Sequence, residues 1–225
     1  MNAVATAKEN LLNLIEQADA SGGFTDESFA QLAEMVEALR PLSPVPAPMD
    51  ALEQVEGVWE TVFAHFGAKH SAGKPKVHDS NLKVQSFNAF GPIPIRVLNL
   101  CQEITREGSA YNNVVDFVAA DGVTTGIIIV HGRFREEPDN RQRFAVDFHT
   151  VELRPSPESD EGRLRAALGF DSTQSLTMTL KPPRLHSDVI YLDDELRINA
   201  GSLGGIYVLR RAPDRSPRSV ASSSL

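Results

Sequence analysis

Three consecutive acidic residues, Asp193, Asp194 and Glu195, form a run of side chains that could do acid–base chemistry. Such catalysis requires an acid and a base to meet over one substrate. Consecutive residues of a strand or turn point in opposite directions, so these carboxylates do not converge. The run is instead typical of a solvated turn, in which we expect Asp193 to accept hydrogen bonds from backbone amides.

The other potentially reactive side chains lack the spacing that catalysis or metal binding requires. No serine stands in a Gly-x-Ser-x-Gly context, and no glycine pair belongs to a Gly-x-Gly-x-x-Gly phosphate loop. The sequence therefore predicts no catalytic residue, no metal and no cofactor, and it leaves His131 and His149 as an ordinary cross-strand pair. The histidines are scattered along the chain: His65, His70, His78, His131, His149 and His186.

Phenylalanine is the aromatic residue that the chain has in quantity, with eleven Phe against three Tyr and one Trp. An interior lined with such side chains either packs solid or holds one small apolar ligand. The phenylalanines that lie in segments with strand character are Phe63, Phe87, Phe90, Phe117, Phe134, Phe144 and Phe148.

Short segments of strand character, separated by turn residues, follow one another from position 58 onward. They predict an antiparallel sandwich or barrel, and periodicity alone does not separate these two folds. The predicted strands are Val58–Phe66, Leu82–Phe90, Val97–Thr105, Tyr111–Ala119, Thr125–Phe134, Arg143–Leu153, Ser175–Leu180, Leu196–Ala200 and Ile206–Arg211.

Alternation within the strands indicates which faces are buried. Phe144, Val146, Phe148 and Thr150 share one face and should point into the fold, whereas Val151 should point out. Residues 126–130 are apolar on both faces, so their outer face needs a cover, for which the N-terminal helices are the natural choice.

The remainder of the chain divides into three further parts. Residues 1–40 have the apolar spacing of a helical hairpin, and residues 41–50 form a proline-rich, extended linker. The strands occupy residues 51–211, with a short helix predicted at 162–169 that caps one end. Residues 212–225, rich in serine and arginine, are expected to be disordered.

Composition excludes some functions and is consistent with one domain of 225 residues. A formal net charge of -8 argues against nucleic acid as a partner. Because Cys101 is the only cysteine, no intramolecular disulfide is possible, and a reducing compartment is expected. We find no signal peptide, no plastid transit peptide and no apolar run long enough to span a bilayer.

The segment 191–199, with its Leu-Arg-Ile strand, is followed by Gly201, Gly204-Gly205 and the apolar strand 206–209. This pattern resembles the C-terminal signature of the plastid lipid-associated protein (PAP/fibrillin) family. Weaker similarity covers residues 52–211, although 155–182 match poorly and Ala200 replaces the usual basic residue. The resemblance implies a mainly β fold, a lipocalin-like antiparallel β-barrel with an N-terminal α-helical hairpin.

The resemblance also implies that the barrel binds a small hydrophobic molecule, such as an isoprenoid quinone, a carotenoid or an acyl lipid. Arg197, between two apolar neighbours, must be paired if buried, and it either stacks on Trp59 or holds a polar head group. The expected ligand-binding residues are Phe63, Gln102, Phe117, Phe134, Phe144, Phe148 and Arg197. The residues expected to close the barrel are Trp59, Asp193, Arg197 and Gly205.

Two other functions stay open on the sequence alone. One is a lipid cyclase or isomerase that uses His149, Glu103 or Asp116 as acid or base. The other is a scaffold for an enzyme of quinone or pigment synthesis, with the N-terminal helices as the protein-binding surface.

Location follows from the resemblance and from the basic residues. We expect a cyanobacterial-type protein that is cytoplasmic or peripheral to the thylakoid membrane, because plant members carry transit peptides. Basic side chains near an anionic surface contribute about 1 kcal/mol each, enough for a weak peripheral contact. Those that could make it are Lys69, Lys74, Lys76, Arg210, Arg211, Arg215 and Arg218.

Overall fold

A computed structural model describes residues 3–66, 81–87, 89–181 and 185–219, and its main feature is an antiparallel sheet. The lysines at 69, 74 and 76 and the histidines at 70 and 78 lie outside the described residues. The strands of the described part are β1 (Gly57–His65), β2 (Asn81–Lys83), β3 (Pro94–Thr105), β4 (Ala110–Ala119), β5 (Thr125–Glu137), β6 (Asn140–Pro155), β7 (Thr177–Thr179), β8 (Leu185–Leu192), β9 (Leu196–Gly201) and β10 (Ile206–Arg211).

The sheet closes into a barrel because β1 pairs with strands on both of its sides. The order β1-β10-β9-β8-β6-β5-β4-β3 returns to β1, which makes eight strands, while β2 and β7 extend β3 and β6. Trp59 of β1 lies opposite Arg211 of β10 on one side and Gln102 of β3 on the other. Closure leaves these eight strands without a free edge. The predicted lipocalin-like fold class is confirmed.

Bulges decide which residues face the interior. Phe144, Val146 and Phe148 of β6 pack in the interior clusters, as the alternation predicts. A register shift opposite His131 and Gly132 then adds one residue to β6, because Gly132 pairs with Phe148 and His131 pairs with Thr150. Val151 and Leu153 consequently pack inside, so the predicted outward position of Val151 is wrong.

The N-terminal hairpin consists of α1 (Ala3–Ala20) and α2 (Asp26–Leu39), and a capping box between Thr25 and Ser28 begins α2. Its apolar face buries Leu11, Leu32 and Val36 against the outer faces of β1, β8, β9 and β10. The prediction that it covers residues 126–130 is therefore wrong. Ile127 and Ile129 instead form a separate cluster with Val114.

The proline-rich linker packs along the barrel and is not a free spacer. It contains 3-10 turns at Arg40–Leu42 and Pro48–Asp50, and α3 (Leu52–Val55) follows. The Met49 side chain is buried in the same cluster as Trp59, and the Ser43 hydroxyl accepts a hydrogen bond from the Leu192 amide at 3.1 Å. Residues 43–55 consequently cover one end of the barrel.

The opposite end carries α4 (Glu161–Leu168), the helix predicted at 162–169. Leu164 and Leu168 of this helix pack into the interior cluster, and Gly126 leaves room for them, since a Cβ there would lie 2.9 Å from Leu164. The predicted strand 82–90 is only the short β2 followed by a 3-10 turn, and β8 was not anticipated. No helix in the described ranges is long and apolar enough to cross a membrane.

Residues 212–219 form a strap, the C-terminal strap, across the outside of the barrel. The Glu103 carboxylate of β3, 1% exposed, accepts hydrogen bonds from the backbone amides of Arg218 and Ser219. The Arg218 guanidinium pairs with Asp116 at 2.6 Å, and the backbone carbonyl of Arg218 accepts a hydrogen bond from the Arg154 guanidinium. The predicted disorder is therefore wrong for residues 212–219, while residues 220–225 lie outside the described part.

Candidate functional site: the barrel interior and its open end

The closed end of the barrel is built around Trp59, which is 0% exposed. The indole N–H donates to the Val55 carbonyl at 2.8 Å, which joins α3 to β1. Two guanidinium groups lie over the ring, Arg197 at 4.8 Å and Arg211 at 4.2 Å from its centroid.

Arg211 is the residue that ties this end together. Its guanidinium donates to the carbonyls of Gln54 in α3, Glu56 between α3 and β1, and Asp194 in the β8–β9 turn. Sequence reasoning missed this role because Arg211 stands at the edge of a basic segment that reads as a tail. The strand pairing identifies the role of Arg211, because this residue lies opposite Trp59 where β1 pairs with β10.

Arg197 is the second cation, and it is buried completely. Its Nη2 donates to the Gln102 side-chain carbonyl at 2.5 Å, whereas Nε and Nη1 have no hydrogen-bond partner among the described residues. Burial, together with the nearby Arg211 charge, lowers the pKa of Arg197 to about 10. Arg197 therefore contributes a charge without a carboxylate partner to the barrel interior.

A polar network extends from Arg197 along the interior. The Tyr111 hydroxyl donates to Gln102 at 3.0 Å, and the Asn199 amide donates to Ser187 at 2.9 Å and to Tyr111 at 3.4 Å. Burial raises the pKa of Tyr207, in the next layer, to about 12. The network is neutral apart from Arg197.

The expected phenylalanine lining is brought together in part. Phe134 and Phe144 meet edge to face at 5.2 Å, and Phe148 lies 6.3 Å from Tyr111, all inside the barrel. Phe117 lies inside near α4, within contact of Gly126. Phe63 does not belong to this lining, because the bulge after Thr61 turns it outward against Phe24 of the helical hairpin, at 5.2 Å.

The acidic turn is held by hydrogen bonds to Asp193. Asp193 accepts hydrogen bonds from the backbone amides of Glu195 and Leu196, from the Tyr191 hydroxyl and from the Lys8 ammonium, the last two at 2.6 Å. Burial acts to raise the pKa of Asp193, but these four donors outweigh it and lower the pKa. The turn is thereby joined to α1.

Gly205 lies where the β9–β10 hairpin meets β1. A Cβ at this position would come within 2.7 Å of the His65 carbonyl oxygen, so the backbones approach more closely than any side chain allows. Gly204, with φ of +78°, occupies the left-handed conformation that the same turn requires.

An open cleft lies at the α4 end of the barrel, and we call it the mouth cleft. Its volume is about 530 Å³, within the usual range for small-molecule sites. One wall comes from the segment before β3 and the other from α4 and the residues that follow it. The lining consists of Phe90, Gly91, Ile93, Leu168, Gly169, Phe170, Gln174, Ser175, Thr177 and Met178.

Both walls are fixed by specific bonds. Arg165 of α4 pairs with Glu161 at 2.7 Å and donates to the carbonyls of Asp171 and Gln174, which holds the second wall. On the first wall, Phe90 adopts a φ of +60°, a costly conformation for an aromatic residue. Its amide lies 3.4 Å from the Met178 sulfur.

The Phe90 and Phe170 rings pack against each other in the lining of the mouth cleft, with ring centroids 5.7 Å apart. Sequence reasoning placed Phe90 at the end of a strand and gave no role to Phe170. Both belong to irregular segments, so no periodicity marks them.

Comparison with known proteins agrees with this geometry. The PAP_fibrillin family model matches residues 5–210, nearly the whole described chain. The chain belongs to the PAP/fibrillin family.

Curated relatives of this PAP/fibrillin chain are plastid proteins. It is 25% identical over 213 residues to a chromoplast-specific carotenoid-associated protein of Cucumis sativus, with 80% of this chain and 59% of the relative covered. It is 24% identical over 213 residues to a light-induced chloroplastic protein of Solanum tuberosum, with 82% and 60% covered. A carotenoid-associated protein of an Oncidium hybrid cultivar is 24% identical over 235 residues, with 92% and 69% covered. The chain thus spans about three fifths of the length of the first two relatives.

The residues considered as acid or base do not line the interior of this PAP/fibrillin barrel. Glu103 and Asp116 point outward and bind the C-terminal strap. His149 lies on the bulge of β6 beside His131, with ring centroids 6.4 Å apart, and burial lowers the pKa of His149. In the described part of the chain no group of three or more potential metal ligands converges.

Three of the four arginines expected to contact a membrane are engaged within the protein, whereas Arg210 is exposed. Arg211 closes the barrel, Arg215 pairs with Glu60 at 2.8 Å, and Arg218 pairs with Asp116. These three side chains therefore do not form a basic patch.

Proposed function

We propose that this PAP/fibrillin protein binds a small hydrophobic molecule of the isoprenoid quinone, carotenoid or acyl lipid type, in the mouth cleft above the apolar barrel interior. The observation that carries the proposal is the cleft itself. It is open to solvent, has a volume in the range of ligand sites, and has the Phe90 and Phe170 rings packed together in its lining.

Apolar contact supplies the affinity in this proposal. Burial of apolar surface contributes about 25 cal/mol per Å² before the cost of ordering the ligand. Phe90, Phe170, Leu168 and Met178 offer such surface on both walls. The family and the carotenoid-associated relatives support a hydrophobic ligand over a polar one.

The barrel interior then forms the floor of the site. Phe117 and Phe148 belong to the packed cluster that also holds the cleft residues Leu168, Phe90 and Phe170, so apolar contacts continue from the cleft into the interior. Gln102 and Arg197 lie deeper, beside Trp59, and a ligand reaching that depth would meet their polar groups.

The same proposal places the protein at photosynthetic or other internal membranes, where such molecules reside. The plastid names of the relatives support this location. The scaffold function is less well supported, because the apolar residues of the helical hairpin, such as Leu11 and Leu32, are buried on the barrel.

Binding is tested with a pyrene-labelled fatty alcohol, whose fluorescence changes in an apolar site. The wild-type protein should bind it, and Phe170→Asp should weaken binding about tenfold or more, because a buried carboxylate is costly. Val123→Asp, at a turn residue that is 69% exposed, is the matched control and should bind normally.

A second variant keeps the test informative if Phe170→Asp does not fold. Phe170→Ala removes most of the ring without adding charge, and circular dichroism establishes folding for each variant. Equal affinity of wild type, folded Phe170→Ala and folded Phe170→Asp would contradict binding at the mouth cleft. Release of a chemically altered probe would favour the isomerase.

A further inference from the structure

The residues of the mouth cleft differ from those of the deeper interior in charge. The described lining contains no Asp, Glu, Lys, Arg or His. Aromatic and aliphatic side chains form most of it, and Gln174, Ser175 and Thr177 form a polar strip along one wall. Such a surface can bind hydroxyl or carbonyl oxygens, but it offers no countercharge to an ionised head group.

Two of the charged residues near the cleft along the chain have other partners. Arg165 pairs with Glu161 and donates to the carbonyls of Asp171 and Gln174. The Asp171 carboxylate accepts hydrogen bonds from Thr173 and from the Gln174 amide N–H at 2.9 Å, and these bonds lower its pKa. These charges shape the wall of the cleft and are not available to a ligand.

Within the polar strip, two exposed side chains, the Gln174 amide and the Thr177 hydroxyl, are available for recognition, and the amide is the longer of the two. The Ser175 hydroxyl donates to the Thr177 carbonyl at 2.9 Å and accepts from the Thr177 amide. The Gln174 side-chain amide makes no hydrogen bond to any described residue, while its backbone is held at both ends by Asp171 and Arg165. A primary amide donates and accepts, so it suits a hydroxyl or carbonyl oxygen.

We propose that the mouth cleft selects uncharged ligands and that Gln174 is the specificity-determining residue, its amide binding the hydroxyl or carbonyl oxygen at the polar end of the ligand. This inference rests on the proposed function and narrows it. An ionised carboxylate would lose hydration on entering the cleft and would gain only one neutral hydrogen bond in return.

The test compares three competitors with the same alkyl chain for displacement of the pyrene-labelled alcohol from the full-length protein. Hexadecanol has a neutral hydroxyl, palmitate is ionised at alkaline pH, and hexadecane has no polar group. In wild type, hexadecanol should compete about tenfold better than palmitate, since a 1.4 kcal/mol difference suffices. It should also compete better than hexadecane.

Variants of Gln174 assign the preference to this residue. Gln174→Leu should reduce the advantage of hexadecanol over hexadecane, and Gln174→Lys should reverse the order of hexadecanol and palmitate, because an ammonium supplies the missing countercharge. Gln31→Lys makes the same change at an exposed position of α2 and should leave both ratios unchanged.

Each outcome bears on a separate statement. If palmitate competes as well as hexadecanol in wild type, the selection for uncharged ligands is overturned while the proposed function stands. If Gln174→Leu and Gln174→Lys keep the wild-type ratios, the role of Gln174 is overturned. If wild type binds neither the probe nor any competitor, the proposed function itself fails.

Discussion

Substitution of the two arginines over Trp59 by methionine should change stability by very different amounts. Arg211→Met removes hydrogen bonds to the part-buried carbonyls of Gln54 and Glu56 and one to the exposed Asp194 carbonyl. Each charge-assisted hydrogen bond to a part-buried carbonyl contributes about 1.5 kcal/mol, and stacking on the Trp59 ring adds about 0.5–1 kcal/mol. We therefore expect Arg211→Met to lower the free energy of unfolding by about 3–4 kcal/mol.

Arg197→Met removes a fully buried charge that has no carboxylate partner. The Gln102 carbonyl that Arg197 contacts keeps its hydrogen bond from Tyr111, so the substitution leaves no new unpaired group. Replacement of a buried charge by an apolar side chain of similar volume is often neutral or stabilising. We expect a change within about 1 kcal/mol, or a gain in stability.

Urea and thermal denaturation, followed by circular dichroism, measure both variants. At about 2–4 °C per kcal/mol for a chain of this size, Arg211→Met should melt roughly 10 °C below wild type, and Arg197→Met close to it. The assignment of closure to Arg211 would be refuted if Arg197→Met lost as much stability as Arg211→Met. Ligand binding that fails in a stable Arg197→Met protein would instead place Arg197 in the site.

Two further predictions concern the acidic turn and the C-terminal strap. Because the pKa of Asp193 is lowered in the folded state, its contribution to stability is present above the unfolded value near 3.8 and is lost as pH falls through the folded pKa. Asp193→Asn should therefore lower the melting temperature at neutral pH, and its melting temperature should fall less steeply than that of wild type as the pH is lowered. Melting temperatures of the two proteins that fall in parallel with pH would contradict this. Cys101 is buried beside Arg215 of the strap, and burial raises its thiol pKa to about 11. A chain ending at Arg211 should react with a thiol reagent about tenfold or more faster than the whole protein, whereas equal rates would show that the strap does not shield the thiol.

Much of the fold could be predicted from local patterns and from the family resemblance. Alternation in β6 correctly placed Phe144, Val146 and Phe148 inside, because a strand with one buried face has a period of two. The closed barrel that the resemblance implied is confirmed, with β10 paired to the strand that holds Trp59. The helical spacing of the first forty residues correctly predicted the hairpin.

The errors share a physical origin, since they depend on contacts between distant parts of the chain. One extra residue in a strand reverses every later side chain, as at Val151, and the same effect moved Phe63 out of the interior. The strap has the composition of a disordered tail, but Glu103 and Asp116 supply partners that composition does not reveal. The mouth cleft joins Phe90 to Phe170 through two irregular segments that have no periodic pattern.

Closure of the barrel also has a consequence for how the protein is made. The strand that completes the ring, β10, is the last of the described strands, and it pairs Arg211 with Trp59, far earlier in the sequence. Contacts of such high sequence separation form slowly, and a nascent chain presents its N-terminal part first. During synthesis β1 and the helical hairpin must therefore wait for β8 to β10, the strands on which the hairpin packs. A ribosome-bound chain that stops before residue 206 should expose the hairpin's apolar face and require a chaperone that a released chain does not.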